Sequence, residues 1–113
     1  MRVEAEVEAR GGRVRVVLRG GDEARVWGKF VVGRLRSDPG KRVLVFDTAS
    51  VFHRDIAAAY GVQAGGGGWL EIDHGKRTVV VGGTSTQFGR EPDRGLTVAL
   101  LEEALPGYMV EWR

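Results

Sequence analysis

Residues Arg2 to Ala9 alternate without a break, with Val3, Ala5, Val7 and Ala9 on one side and Glu4, Glu6 and Glu8 on the other. A period of two over eight residues fits an extended chain with one face in a core and one in water, and no helix. Gly11-Gly12 follows, and then Arg13 to Arg19, where Val14, Val16 and Leu18 alternate with arginines. Two alternating runs joined by a glycine pair predict a β-hairpin. A chain of 113 residues that begins this way is expected to form one small domain over residues 1–113, built on a sheet.

Val43-Leu44-Val45-Phe46 is apolar throughout, as a strand buried on both faces must be. Asp47 or Thr48 is placed to cap a helix over Ser50–Tyr60, which Gly61 ends. Trp69–Asp73 and Thr78–Val81 read as a second hairpin, and Tyr108–Trp112 as a last strand. Between Gly82–Gly89 and Pro106-Gly107, Leu96, Ala99, Leu100 and Ala104 form a helical face, with Pro92 in its first turn. The stretch 22–36 stays ambiguous. Ala24, Trp27, Phe30, Val31 and Leu35 have helical spacing, while Gly28, Gly33 and the valines oppose a helix. The expected class is α+β, a two-layer α/β fold whose mixed β-sheet of about six strands carries two to three helices.

Composition narrows the chemistry. With no cysteine, thiol nucleophiles and thiolate metal sites are excluded. The two histidines, His53 and His74, lie far apart and the carboxylates lack ligand spacing, so no metal site and no cofactor are expected. An aspartate-nucleophile phosphatase is also excluded, because Ala49 stands where the second aspartate after Asp47 is needed. Fourteen arginines against three lysines fit either a genomic composition bias or an arginine-lined anion site. There is no dense basic run for nucleic acid, no apolar run long enough to cross a membrane and no N-terminal leader pattern; the expectation is a cytoplasmic protein.

Three places can carry chemistry. His53, early in its helix, is either an ordinary half-buried histidine or a general base. The run Gly65 to Gly68 is either a bulge or linker, or a place where backbone amides, those of Gly67 and Gly68 among them, approach an anion. Thr84, Ser85 and Thr86, with Gln87, lie in a loop that is either simply polar or an anion cradle, to which Arg90 can add charge.

Several motifs occur together in order: Gly66-Gly67-Gly68-x-Leu70, Lys76 to Val81, Gly83-Thr84-Ser85-x-x-Phe88-Gly89 and Pro106-Gly107-Tyr108-x-Val110-x-Trp112. With His53-Arg54-Asp55-Ile56 upstream, this series resembles the Janus/Ocnus family of phosphohistidine phosphatases over residues 13–112. The resemblance implies a phosphohistidine-phosphatase-like fold and metal-independent hydrolysis of a phosphoramidate P–N bond, on a phosphorylated protein or a small molecule. It implies that His53 is the catalytic base, that Ser85 contacts phosphate, and that the amides of Thr86 and Gln87 lie in the phosphate-binding turn. Arg13 or Arg15 falls near the family's phosphate-binding lysine. Two of the family's arginines are replaced, by Trp69 and Val45, and Arg90, Arg94, Arg34 or Arg54 are the candidates to substitute. The alternatives are a non-catalytic phosphate- or phosphoprotein-binding module, or a purely structural or nucleic-acid-binding domain.

Overall fold

The structure is a computed structural model describing all residues 1–113. The first hairpin forms as its alternation predicts: β1 (Arg2–Ala9) and β2 (Gly12–Arg19) pair antiparallel, with Val7 opposite Val14 and Glu8 opposite Arg13. Its turn holds Gly11 at φ +85° and Gly12 at φ +123°, conformations that a Cβ disfavours. The chain continues through β3 (Arg25–Leu35), β4 (Arg42–Asp47), α1 (His53–Tyr60), β5 (Val62–Asp73), β6 (Thr78–Gly82), α2 (Arg94–Ala104) and β7 (Met109–Trp112).

All seven strands join one mixed sheet in the order β1-β2-β4-β3-β5-β6-β7, with β2–β4 and β6–β7 parallel and the other neighbours antiparallel. Successive strand residues point to opposite faces. Phe30 and Val31 of β3 are both fully buried, yet they belong to different cores. Phe30, Leu44, Phe46, Val16 and Leu18 pack with Leu100 and Leu101 of α2. Val31, Val43, Val45 and Val17 pack with Ile56 and Ala57 of α1. The two helices therefore cover opposite faces, which is why Val43–Phe46 carries no polar residue.

This arrangement corrects the expected fold class. Sheet accounts for about half of the chain and curls into a half-barrel of seven strands, with two helices on its two sides, in place of two layers with about six strands. The seventh strand is the ambiguous stretch. Residues 25–35 form β3, whose central side chains are buried on both faces and so lack the period of two that marks a half-exposed strand. Gly65 to Gly68 are likewise no linker but lie in the middle of the twelve-residue β5, and the bulge reading holds at Gly65, which has no partner where Val32 pairs with Gly66 and Gly33 with Ala64.

Both helix starts also differ from expectation. Asp47 and Thr48 do not cap α1. Its N-cap is Phe52, without a side-chain bond, while Asp47 accepts from the Ala49 amide (2.8 Å) and from the Tyr60 hydroxyl (2.6 Å). Asp93 caps α2 by accepting from the Leu96 amide, so Pro92 precedes the helix instead of opening it. Neither helix is long and apolar enough to cross a membrane.

Candidate functional site

His53 is the first residue of α1, earlier than the sequence suggested, and is 4% exposed. Its Nε2 lies 2.8 Å from the Gly68 carbonyl oxygen. A carbonyl only accepts, so Nε2 carries the proton and Nδ1 holds the free lone pair. Nδ1 makes no bond within the chain and is not sealed from solvent. Burial pushes the His53 pKa below its ordinary value, the Gly68 carbonyl opposes that shift, and the positive charge of Lys29 adds to it. The ring is thus neutral at physiological pH, in one tautomer, with a basic nitrogen facing outward.

Glycine makes this seat possible. A Cβ on Gly67 would stand 3.1 Å from His53 Cδ2 and collide with the Phe30 carbonyl oxygen. On the other face of β5, a Cβ on Gly66 would overlap the Glu91 backbone, and one on Gly68 would meet the Gly82 carbonyl oxygen and Arg94 Nη2. Three successive residues are contacted closely from both sides, and only hydrogen fits in each gap.

The loop after β6 closes against this strand. The Gly67 amide donates to the Gly89 carbonyl (2.9 Å), while Ser85 and Gly89 exchange bonds of 3.2 and 2.8 Å. Ser85 is buried, and its hydroxyl oxygen accepts from the Phe88 amide (3.1 Å). Phe88 packs into the core under α1, which places the loop on the His53 side of the sheet. Thr84, Thr86 and Gln87 are exposed at its tip, and their amides have no acceptor within the chain. His53, Gly67, Gly68, Ser85 and the 84–87 tip are therefore brought together around the middle of β5.

Of the predicted arginines only Arg54, next to His53 on α1, lies on this side; the others do not join it. Arg13 and Arg15 pair with Glu8 (2.7 Å) and Glu6 (3.1 Å) on β2, three strands away from β5. Arg90 lies over the Trp112 ring at 5.1 Å, against β7. Arg34 donates to the Pro39 carbonyl (3.1 Å). Arg94 is buried under the glycine strand: it forms a two-pronged bond with Glu91 (2.7 and 2.9 Å) and donates to the Gly83 carbonyl (2.8 Å), while Thr97 Oγ1 donates to Glu91 (2.6 Å). Arg94 thus ties the base of the loop to α2 and leaves no fork free for a ligand.

A second available cation was missed. Lys29 projects from β3 on the His53 side, directly opposite Trp69 in register, and has no carboxylate within salt-bridge distance. Its ammonium lies 5.6 Å from the centre of the Phe52 ring, and the Arg54 guanidinium lies 4.9 Å from the same ring. The alternation Trp27-x-Lys29-x-Val31 was the available signal, hidden once 22–36 was open to a helical reading. Glu91, Arg94 and Thr97, at helical spacing around the start of α2, were also missed as a set.

His74 is elsewhere, in the β5–β6 turn, with Nδ1 2.7 Å from the Tyr108 hydroxyl. A groove of about 650 Å³ between β1 and α2 lies on the opposite face from His53, and Glu8, Asp93, Glu102 and Glu103 line it, so it repels anions. No family model and no curated protein matches the sequence.

Proposed function

We propose that this protein is a metal-independent phosphatase that hydrolyses the P–N bond of phosphohistidine or a related phosphoramidate, with His53 as general base. The carrying observation is the buried, neutral imidazole whose Nε2–H is committed to the Gly68 carbonyl and whose Nδ1 is left free. In this reading Nδ1 takes a proton from water as the water oxygen bonds to phosphorus. The nitrogen is protonated from solvent before attack, the P–N bond breaks with its electron pair going to that nitrogen, which departs neutral, and His53 returns the water's proton to solvent. The amides of Thr86 and Gln87, the Ser85 hydroxyl and Lys29 supply the charge that holds the transferring phosphoryl group. The substrate is then a phosphorylated protein or a small phosphoramidate, and the cytoplasm is the compartment in which such an activity belongs.

The engagement of Arg13, Arg15 and Arg90 elsewhere supports one other reading, a non-catalytic phosphate-binding module with only Lys29 and Arg54 as cations. Turnover separates the two. With a chemically phosphorylated histidine peptide and chelator present, His53→Ala is expected to lose at least about 100-fold in rate, the lower end of general-base contributions. Its circular dichroism should match that of the parent. Unchanged turnover refutes the role of His53, and phosphate binding with no turnover by the parent chain selects the binding module.

A further inference from the structure

His53, Lys29 and the 84–89 loop leave the neighbouring part of the same face unexplained. Trp27 is 55% exposed and belongs to neither core. Its ring centre lies 6.5 Å from that of Trp69, with the planes tilted by 31°. Trp27 is two residues from Lys29 along β3, about 7 Å, and Trp69 is opposite Lys29 on β5. The position of Trp69 is set by backbone, since a Cβ on Gly82 or Gly83 would come within 2.5 Å of its indole. The adjoining carboxylates are occupied: Glu71, opposite Trp27, pairs with Arg25 (3.5 Å), and Asp47, opposite Lys29, accepts from Tyr60. What remains is a pair of mutually tilted indoles, one of them exposed, beside an unpaired cation. It complements a ligand with a planar ring at one end and an anion at the other.

We infer that Trp27 and Trp69 form a stacking surface for the purine ring of a nucleoside 5′-phosphoramidate whose phosphoryl group lies beside Lys29 and the 84–87 amides. This rests on the phosphoryl-transfer reading of His53. Two indoles offer more aromatic area than a lone imidazole covers, which favours a bicyclic base over a phosphohistidine side chain. Water then adds its oxygen to phosphorus and gives a proton to His53, the P–N bond breaks with its electron pair going to the nitrogen already protonated from solvent, the neutral amine leaves, and the product is a nucleoside monophosphate.

That product provides the probe. Isothermal titration calorimetry of the full chain is expected to show adenosine 5′-monophosphate binding at least about 10-fold tighter than ribose 5-phosphate, within the range that base–aromatic stacking supplies. Trp27→Ala, a change at an exposed position, should bring the two ligands to equal affinity. Equal affinities in the parent chain, absence of binding by both, or an advantage that survives Trp27→Ala overturns the inference. So does a phosphohistidine peptide that binds more tightly than the nucleotide and depends on Trp27. The two readings fail separately. Trp27-dependent nucleotide binding without hydrolysis of adenosine 5′-phosphoramidate leaves the ring subsite and removes the role of His53. Hydrolysis of a ringless phosphoramidate with no preference for the base does the reverse.

Discussion

Arg94→Met tests whether the ion pair behind the glycine strand supports the site. Methionine keeps most of the apolar stem and removes the guanidinium. The side chains of Arg94 and Glu91 are 1% and 2% exposed, so the carboxylate left behind cannot recover its hydration. Removing one partner of such a pair costs about 3–5 kcal/mol. The Gly83 carbonyl also loses a charge-assisted bond of 2.8 Å, while the 3.4 Å contact with the Gly67 carbonyl adds little. The double variant Glu91→Met/Arg94→Met removes the stranded charge and retains the losses at the Gly83 carbonyl and at the buried Thr97 hydroxyl, whose acceptor was Glu91, about 1–3 kcal/mol each. Urea unfolding followed by circular dichroism is therefore expected to rank parent, double variant and single variant in falling stability. The gap between the two variants should be about 2 kcal/mol. A single variant that loses less than about 1 kcal/mol, or a double variant no more stable than the single, refutes the reasoning that an unpaired buried charge dominates.

Two further outcomes follow from the same geometry. Burial lowers the His53 pKa in the folded chain, so as pH falls below about 6.5 the unfolded chain takes up the proton first. The stability linked to His53 is complete above that pH and declines as pH falls from there through the folded value; NMR titration of the imidazole and urea midpoints against pH check this, and a ring that titrates at or above about 6.5 contradicts it. Gly67→Ala should weaken phosphate binding measured by calorimetry and cost about 1–3 kcal/mol of stability, because the new methyl meets His53 and the Phe30 carbonyl. Gly12→Ala, with open space around its Cβ, should leave phosphate binding unchanged.

The legible parts of this fold are those whose pattern is uniform along the strand, either strict alternation or unbroken apolarity. The β1–β2 hairpin shows in its alternating glutamates and arginines, and β4 shows as an uninterrupted apolar run. β3 was not legible, because burial on both sides at Phe30 and Val31 removes the alternation, while the spacing of Trp27, Phe30 and Val31 imitates a helix. The site divides in the same way. His53, Ser85 and the turn amides could be named from local motifs and do converge on β5. The arginines could not be assigned, since each guanidinium is long enough to reach several partners. Arg13 and Arg15 go to Glu8 and Glu6, close in the chain but matched only by the register of the β1–β2 hairpin, and Arg90 goes to Trp112, which strand pairing brings near from further along the chain.

The glycines of 65–68 carry this contrast furthest. Residue order alone establishes that this stretch has no side chains and that a histidine helix and a hydroxyl-rich loop exist on either side of it in the chain. It does not say whether the glycines bend, link or hold a ligand, because a residue without a side chain has no period and no polarity to read. The tertiary structure decides it: Gly65 forms a bulge where the pairing with β3 shifts by one residue, and at Gly66 to Gly68 the backbone of Glu91, Phe30 and Gly82 closes on β5 from both faces at distances that a Cβ forbids. The requirement for glycine comes from those neighbours, and they are set by strand pairing and helix placement across the whole sheet.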